Sequence, residues 1–137
     1  KKIQQMVADR ENITIIKPVR RDEIVPFTNQ YDIGLCLFKP NNFNLKYTLP
    51  NKFFECIQAR LAVAIGQSPE MATYVEKYNL GIITNDFDPK TVAQHLNNLT
   101  NEEIEQYKAN SHSAAQILSS KYSEKQIVTL AGALISH

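Results

Sequence analysis

The chain has 137 residues, of which 15 are Lys or Arg, 14 are Asp or Glu and 43% are apolar. This length and composition predict one soluble globular domain, residues 1–137, and exclude a disordered tail or a fibre. A net charge of +1 provides no broad positive field, so we expect no nucleic-acid partner, and any bound anion must meet a local site. The chain begins at Lys1 without an initiator Met, which indicates a piece of a longer protein.

Apolar runs and cysteines exclude two further classes of protein. Even the unbroken apolar run at residues 33–38 falls far short of the ~20 residues that a membrane helix needs. Cys36 and Cys56 lie among apolar neighbours and lack the spacing of metal ligands. We therefore expect buried, reduced thiols of an intracellular protein, and neither a zinc module nor a disulfide scaffold.

The spacing of apolar residues predicts helices and strands in alternation. In chain order the predicted elements are a helix over residues 1–10, a strand over 13–17, a helix over 23–30, a strand over 33–38, a polar loop over 39–48, a helix over 50–59, a strand over 61–65, a helix from 68, a strand over 80–84, and helices over 88–99, 101–120 and 123–135. The first helix places Ile3, Met6 and Val7 on one face. The continuous apolar run at 33–38 is typical of a strand covered on both faces.

Capping residues support several of these helix starts. Asp22 and Ser123 are predicted N-caps. Pro50 suits the first turn of its helix, where its missing N–H is not needed. Ser68 and Asp88 each precede a proline, which is a cap-plus-proline signal. A helix start is thus predicted after each of the last three strands.

The alternation of strands and helices implies parallel strands joined by right-handed crossovers. No Asn-Gly hairpin turn is present in the sequence, which argues against an antiparallel sheet. We therefore predict an α/β fold, a Rossmann-like doubly wound parallel sheet of at least four strands. Its core covers about residues 10–100, and residues 101–137 form a C-terminal helical extension.

One junction between a strand and a helix differs from the others. In open parallel sheets, ligands bind where strands end and helices begin. Residues 39–52 form the longest such junction, and the helix after it begins Pro50-Asn51-Lys52 with no acidic residue in its first turn. The helices at the next two junctions start with acidic residues, which repel a phosphate. Free N–H groups, the Asn51 amide and the Lys52 ammonium therefore predict an anion site.

Glu55 lies three residues after Lys52 and four after Asn51, so all three share one side of a helical turn. A carboxylate there does not bind phosphate, but it can accept hydrogen bonds from the vicinal hydroxyls of a ribose. Together these residues suggest a site for a nucleoside diphosphate. The alternative, a solvated Lys52–Glu55 pair worth a few tenths of a kcal/mol, stays open because such pairs are common on helices.

Several runs of residues are similar to those of one enzyme family. They are residues 13–19, Asp22-Glu23-Ile24, Tyr31-Asp32-Ile33-Gly34-Leu35, Leu49-Pro50-Asn51-Lys52-Phe53-Phe54-Glu55, Ala62-Val63-Ala64-Ile65 and Asn79-Leu80-Gly81. Over about residues 10–100, the chain resembles the C-terminal half of a retaining GT-B glycosyltransferase of the group 1, glycogen-synthase-like class. The resemblance implies that this half binds a nucleotide-sugar donor, and that a missing N-terminal GT-B domain completes the cleft for the acceptor.

The resemblance also implies roles for individual residues. The diphosphate is expected at Thr48, Leu49, Pro50, Asn51 and Lys52, the sugar beside Lys46 and Tyr47, and the nucleobase beside Lys17, Pro18 and Val19. Glu55 matches the second acid of the family's E-x₇-E motif, which holds the ribose, and Tyr47 stands where the first acid is usual. Arg60 and Ala62 stand where Gly and Pro are common, so the helix is expected to end without the usual left-handed glycine. No catalytic residue and no metal ligand is assigned.

The activity implied by the resemblance is retaining transfer of a hexosyl group to a glycan or lipid-linked acceptor, in polysaccharide biosynthesis. No metal or other cofactor is expected, and the chain alone is expected to be inactive. The expected location is cytoplasmic, and peripheral membrane association of the full-length protein stays open, as does dimerisation of the isolated chain. Two alternatives also stay open: a non-catalytic Rossmann-like interaction domain and a GT-B nucleotide-sugar epimerase.

Overall fold

A parallel sheet lies at the centre of the fold. The computed structural model describes residues 2–39, 41–47 and 49–136. Within them the sheet has three strands in the order β1 (Ile33–Cys36), β2 (Ala62–Ile65) and β3 (Gly81–Ile83). The helices are α1 (Lys2–Val7), α2 (Ile24–Thr28), α3 (Phe43–Lys46), α4 (Asn51–Gln58), α5 (Pro69–Tyr78), α6 (Pro89–Asn97), α7 (Asn101–Ile117) and α8 (Ser120–Ile135). The predicted α/β alternation with parallel strands is confirmed.

All three strands end at one edge of the sheet. Cys36 is paired with Ile65, and Ile65 with Ile83, so the last residues of the strands lie level. The three connections that follow therefore leave from the same edge, where ligands bind in open parallel sheets. These connections comprise residues 37–50, 66–68 and 84–88.

The core lies between the sheet and the helices that cover it. β2 is buried along its whole length because it is the central strand. α4 contributes Phe53, Cys56 and Ile57, and α5 contributes Met71 and Val75. Full burial of such an apolar side chain contributes ~1.5–3 kcal/mol. Contacts of α4 and α5 with the strands thus supply much of the hydrophobic stabilisation and hold both helices against the sheet.

Two glycines allow close approaches inside this core. A Cβ atom at Gly34 would collide with the Sγ of Cys56, so glycine lets α4 lie close against β1. A Cβ atom at Gly81 would collide with the carbonyl oxygen of Val63 on the neighbouring strand. A side chain at either position would therefore force backbone or packed side chains apart.

α4 ends in a left-handed residue that is not glycine. Arg60 has a φ of 66°. Its N–H donates to the carbonyl of Ile57 at 3.0 Å, and the N–H of Leu61 donates to the carbonyl of Cys56 at 3.1 Å, which is the Schellman arrangement. The Nε of Arg60 also donates to Nδ1 of His112 at 2.9 Å. The helix does end without glycine, as expected, yet the usual left-handed turn still forms.

The prediction of a strand over residues 13–17 is wrong. No strand forms in this segment, and Ile13, Ile15 and Ile16 are exposed. A strand exists only with a hydrogen-bonded neighbour, and within the described ranges none pairs with these residues. The sheet of the described chain therefore has three strands rather than at least four.

Two predicted helix caps are also wrong. Asp22 lies inside a 3-10 turn over Arg21–Glu23, and its carboxylate accepts a 2.9 Å hydrogen bond from Arg20 instead of capping a helix. The helix after it covers only Ile24–Thr28. Ser123 lies within α8, which begins three residues earlier, at Ser120. Both errors arise because a residue suited to capping can also sit inside a turn of helix.

Several apolar side chains remain exposed. Leu35 of β1 is 41% exposed, so the strand is covered on one face rather than both. The predicted loop at 39–48 contains the short helix α3. Exposed apolar residues on the terminal helices are Ile3, Met6, Ile127, Val128, Leu130, Leu134 and Ile135. The described residues therefore leave the apolar face of α1 and much of α8 uncovered.

Candidate functional site

Helix α4 begins with backbone N–H groups that have no partner in the described chain. Pro50 is its N-cap, with φ −71° and ψ 145° and no side-chain capping bond, and so lies one position before the helix. The N–H of Phe53 donates to the carbonyl of Pro50 at 3.0 Å, whereas those of Asn51 and Lys52 donate to no described residue. The first turn contains no acidic residue. α4 therefore presents two free donors and the positive end of its dipole at this edge of the sheet.

Two lysines bring positive charge to the connection before α4. The Nζ of Lys52 lies 6.0 Å from the ring centroid of Phe38, shortly after β1. The Nζ of Lys46 lies 5.7 Å from the ring of Tyr47, which in turn lies 4.7 Å from the ring of Phe43. Both lysines and Tyr47 are exposed. Exposed cation–π contacts are worth only ~0.5–1 kcal/mol, so both ammonium groups can still meet an anion.

Glu55 is half-buried on α4. It lies on the same side of the helix as Asn51, four residues earlier. Its carboxylate makes neither a hydrogen bond nor an ion pair with any residue that the structure describes. The Lys52–Glu55 ion pair that the spacing allows therefore does not form, and the carboxylate can accept hydrogen bonds from a ligand.

A cavity of about 270 Å³ opens at the same edge of the sheet. Its lining residues are Lys46 of α3, Gln67, Ser68 and Pro69 at the start of α5, Ala72 and Glu76 within α5, and Ile83 at the end of β3. All three strands thus contribute to it through the segments at their ends. Among the described residues predicted for the site, only Lys46 lines this cavity.

Ser68 has a different environment from the one its sequence position predicts. It is the N-cap of α5, as predicted, and is 2% exposed, but it makes no capping hydrogen bond. Its hydroxyl has no hydrogen-bond partner within the described part of the chain. Gln67 and Glu76 belong to no motif, so nothing in the sequence marks them. Only the arrangement of the three connections brings them beside Lys46.

A family model described as Glucosyltransferase 3-like, C-terminal domain, matches residues 2–131. The match covers the whole sheet and α4 through α7. The chain belongs to this family. The domain is therefore a glycosyltransferase C-terminal domain, and the prediction of such a domain is confirmed. No curated protein and no solved structure matches the chain significantly.

Residues 17–19, which are expected near the nucleobase, do not follow a strand in this glucosyltransferase 3-like domain. Lys17 and Pro18 are exposed and Val19 is half-buried. None of the three makes a hydrogen bond or ion pair with the described residues. Leu49, expected beside the diphosphate, is half-buried and packs against the core. Thr48, which was given the same role, lies outside the described residues.

The two thiols of the domain lie behind the start of α4. Cys36 is the last residue of β1 and Cys56 is on α4, and both are buried and free of disulfides. A hydrogen bond with the Cys56 thiol, together with burial, raises the pKa of Cys36 far above its usual range. Cys36 is therefore a protonated thiol at neutral pH, and the prediction of buried thiols is confirmed.

The described residues of this glucosyltransferase 3-like domain contain neither a grouped set of metal ligands nor a membrane-spanning helix. Across residues 2–39, 41–47 and 49–136, no three His, Cys, Asp or Glu side chains are grouped as metal ligands. Among the helices of the same ranges, none is both long and apolar enough to cross a bilayer.

Proposed function

We propose that this domain is the donor-binding half of a retaining GT-B glycosyltransferase. It binds a nucleoside-diphosphate sugar, from which the intact enzyme transfers a hexosyl group to a glycan or lipid-linked acceptor. The diphosphate binds at the start of α4 and the ribose at Glu55, while residues 17–19 are proposed to lie beside the nucleobase. An N-terminal GT-B domain supplies the acceptor site, so we expect no turnover by the domain alone.

One observation carries the proposal. The free N–H groups of Asn51 and Lys52 and the unpaired carboxylate of Glu55 lie one helical turn apart. Residues four apart on a helix have Cβ atoms ~5–6 Å apart, so one nucleotide can reach both groups. Donors suit a diphosphate and a carboxylate suits vicinal hydroxyls, and a nucleoside diphosphate joins these two groups in one molecule.

The same groups explain how the domain assists the reaction. Negative charge grows on the diphosphate as the bond to the sugar breaks. The N–H groups at the start of α4 and the ammonium of Lys52, with Lys46 as a second cation, stabilise that charge where it develops. All of these donors belong to the protein, so we propose that no metal is required.

Nucleotide titration tests the proposal. The purified protein is titrated calorimetrically with UDP and with GDP, in EDTA and in Mg²⁺, alongside Glu55→Ala. A hydrogen bond to a charged group contributes ~1.5–3 kcal/mol, so we expect Glu55→Ala to weaken nucleotide binding by about 10- to 100-fold. Glu102→Ala is the matched control, since Glu102 is an exposed glutamate on α7.

Each alternative gives a different result in this experiment. Equal binding by the protein and by Glu55→Ala would remove Glu55 from the site. No binding of either nucleotide would overturn the proposal and favour a non-catalytic interaction domain. An epimerase would convert the sugar of a nucleotide-sugar donor without any acceptor, which chromatography of the sugar released by acid would detect.

A further inference from the structure

Two exposed aromatic side chains lie on the connection that leads into α4. Phe43 is 75% exposed and Tyr47 is 45% exposed, and the other phenylalanines of the chain are all less exposed than Phe43. The two ring centroids lie 4.7 Å apart, with 53° between the ring planes, which is a favourable arrangement for two aromatic rings. This aromatic pair, Phe43 and Tyr47, is thus an apolar surface that the described part of the chain leaves open to a ligand.

The aromatic pair is arranged by its neighbours before any ligand binds. Phe43 begins α3 and Tyr47 follows its last residue, so the two side chains lie one helical turn apart on the same side. The Nζ of Lys46 lies 5.7 Å from the centroid of the Tyr47 ring, and Lys46 also lines the cavity at the start of α5. The two rings therefore lose little freedom when a ligand binds, which lowers the entropic cost of binding.

The aromatic pair lies near the proposed diphosphate site, because few residues separate the two. Tyr47 is four residues before Asn51, the first residue of α4, and four residues of chain span at most ~14 Å. The N–H of Asn51 is one of the two donors proposed for the diphosphate. The transferred sugar is bonded to that diphosphate, so the acceptor must reach the same place. A molecule on the aromatic pair is close enough to be this acceptor.

The chemistry of the aromatic pair and its neighbours suits a sugar ring. The faces of a sugar ring carry C–H groups that stack on aromatic rings, and its edge carries hydroxyl groups. Asn41 and Lys46 are exposed; the amide of Asn41 donates and accepts hydrogen bonds, and the ammonium of Lys46 donates them. Apolar ring faces and hydrogen-bonding groups therefore lie side by side on this short segment.

A membrane is the other partner that exposed aromatic residues can indicate, and the residues around the aromatic pair argue against it. Membrane-binding segments combine a continuous apolar face with an excess of positive charge. Asn42 and Asn44, which are exposed and polar, adjoin Phe43 instead. Lys46 lines the same cavity as Glu76, so its positive charge is offset. A neutral ring therefore matches the charge of this surface better than an anionic headgroup does.

We propose that the aromatic pair binds a sugar ring of the acceptor, with Phe43 as the main contact. The inference rests on the proposed function, because it takes the neighbouring diphosphate site to hold the donor. This domain then supplies one wall of the acceptor site, and the N-terminal domain completes it. Donor and acceptor meet where the connection from β1 enters α4.

Fluorine NMR tests whether a sugar contacts Phe43. The protein is labelled with fluorophenylalanine, and the Phe43 signal is the one that disappears in Phe43→Leu. The probes are the methyl glycosides of glucose, galactose, mannose and N-acetylglucosamine, with glycerol as a control that has hydroxyl groups but no ring. We expect at least one glycoside to shift the Phe43 signal saturably, without shifting that of Phe53, which is buried in the core. Glycerol should shift neither signal.

Substitution measures how much the ring of Phe43 contributes. We expect Phe43→Ala to weaken binding of the glycoside by about 5- to 10-fold, measured by saturation transfer to the glycoside, and to leave nucleotide binding unchanged. Tyr31→Ala is the matched control. Tyr31 is also 45% exposed and belongs to a second aromatic pair with Phe27, before the start of β1. An equal loss of affinity in both variants would contradict the inference.

Competition with the donor separates an acceptor site from a donor site. With UDP-glucose or GDP-glucose at saturation, the glycoside should still shift the Phe43 signal, because the two sugars bind side by side. Displacement of the glycoside by the nucleotide sugar would put Phe43 in the donor site and overturn the inference. Binding to phosphatidylglycerol vesicles that Phe43→Ala abolishes, without any response to the glycosides, would assign the aromatic pair to a membrane and overturn it as well.

The two proposals fail in distinguishable ways. If the nucleotides bind as expected while no glycoside shifts the Phe43 signal, the acceptor assignment is overturned and the nucleotide site at α4 stands. If the protein binds no nucleotide, the proposed function is overturned and the acceptor assignment falls with it. If nucleotide binding depends on Glu55 and glycoside binding depends on Phe43, both proposals are supported.

Discussion

The hydroxyl of Ser111 donates a 2.6 Å hydrogen bond to the carbonyl of Leu61, and both residues are buried. This bond joins the middle of α7 to the residue just before β2. The amide of Gln58 makes a second link, a 3.0 Å hydrogen bond to the carbonyl of Ala115. α7 is therefore an integral layer of the domain that holds α4 and β2 from behind, rather than a loose tail.

Removing the Ser111 hydroxyl should destabilise the domain. We expect Ser111→Ala to lower the free energy of unfolding by ~1–3 kcal/mol, because the buried carbonyl of Leu61 loses its partner. Urea titration followed by circular dichroism measures this change. Ser113→Ala is the control, since the Ser113 hydroxyl is exposed and bonds only within its own helix, and should cost less than ~0.5 kcal/mol. Equal effects of the two variants would contradict this account.

The left-handed turn at Arg60 should make the protein's stability respond differently to glycine and to alanine at this position. Arg60 holds a φ of 66°, a conformation that costs a non-glycine residue ~1–2 kcal/mol. We expect Arg60→Gly to be neutral or to stabilise by up to ~1 kcal/mol, since relief of strain offsets the lost hydrogen bonds to His112 and to the carbonyl of Gln58. Arg60→Ala keeps the strain and loses both bonds, so it should destabilise. Thermal melts of the two variants test the order, and an Ala variant as stable as the Gly variant would contradict it.

The sequence predicts those parts of the fold that local patterns of residues determine. The runs that form β1, β2 and β3 are short, apolar and followed by helix-start signals. Asp88 caps α6 as predicted, because its carboxylate accepts a 2.9 Å hydrogen bond from the N–H of Lys90. Residues 13–17 have the same apolar, β-branched character but form no strand. Apolarity reports a preference for a strand, whereas forming one needs a neighbour that sequence periodicity does not reveal.

The sequence predicts only part of the candidate site, because some of its residues are brought together by tertiary structure. Lys52 and Glu55 could be placed near one another because helical spacing is fixed within one turn. Gln67 and Glu76 could not be placed beside Lys46, because their proximity depends on the level ends of three strands. Tertiary arrangement, rather than local pattern, creates the cavity.

Gly81 and Gly132 allow the same substitution, glycine to alanine, to be compared at a crowded and at an open position. A Cβ at Gly81 would collide with the backbone carbonyl of Val63, whereas one at Gly132 in α8 would meet nothing within 4 Å. We expect Gly81→Ala to destabilise by ~1–3 kcal/mol, because β2 and the edge strand β3 must move apart. Gly132→Ala should leave stability unchanged or raise it by up to ~1 kcal/mol through helix propensity. Guanidinium unfolding measures both, and a tolerated Gly81→Ala would contradict the close pairing of β2 and β3.

The buried thiols should be unreactive in the folded protein. Cys36 and Cys56 are at most 4% exposed, and the hydrogen bond from Cys36 to Cys56 with burial raises the pKa of Cys36. The thiolate is the reactive form; the hydrogen bond from Cys36 lowers the pKa of Cys56, so burial alone protects Cys56 from a reagent. We therefore expect modification of either thiol by a disulfide reagent only through transient opening of the domain. The rate should rise by orders of magnitude in denaturant. Rapid native labelling of both thiols would contradict the packing of α4 on β1.

Lys108 of α7 forms an ion pair with Asp32, the residue before β1, and their charged atoms lie 2.9 Å apart. The contribution of this pair to stability should be lost at alkaline pH. The hydrogen bond with Asp32 raises the pKa of Lys108 above its ordinary 10.5. The folded state therefore holds this proton more tightly than the unfolded state does. The stabilisation is complete below the ordinary pKa and is lost as the pH rises through the raised one.

Lys108→Met should therefore lower the free energy of unfolding by ~1 kcal/mol or less at neutral pH, and the difference from the parent protein should close in alkaline solution. Urea titrations across this pH range measure the difference, with Lys90→Met, which replaces an exposed lysine on α6, as the control. A difference that persists unchanged above the raised pKa would mean that Lys108 stabilises through the packing of its aliphatic chain. A difference that closes assigns the stabilisation to its charge, which pairs with Asp32 at 2.9 Å and with Glu105 of α7 at 3.4 Å.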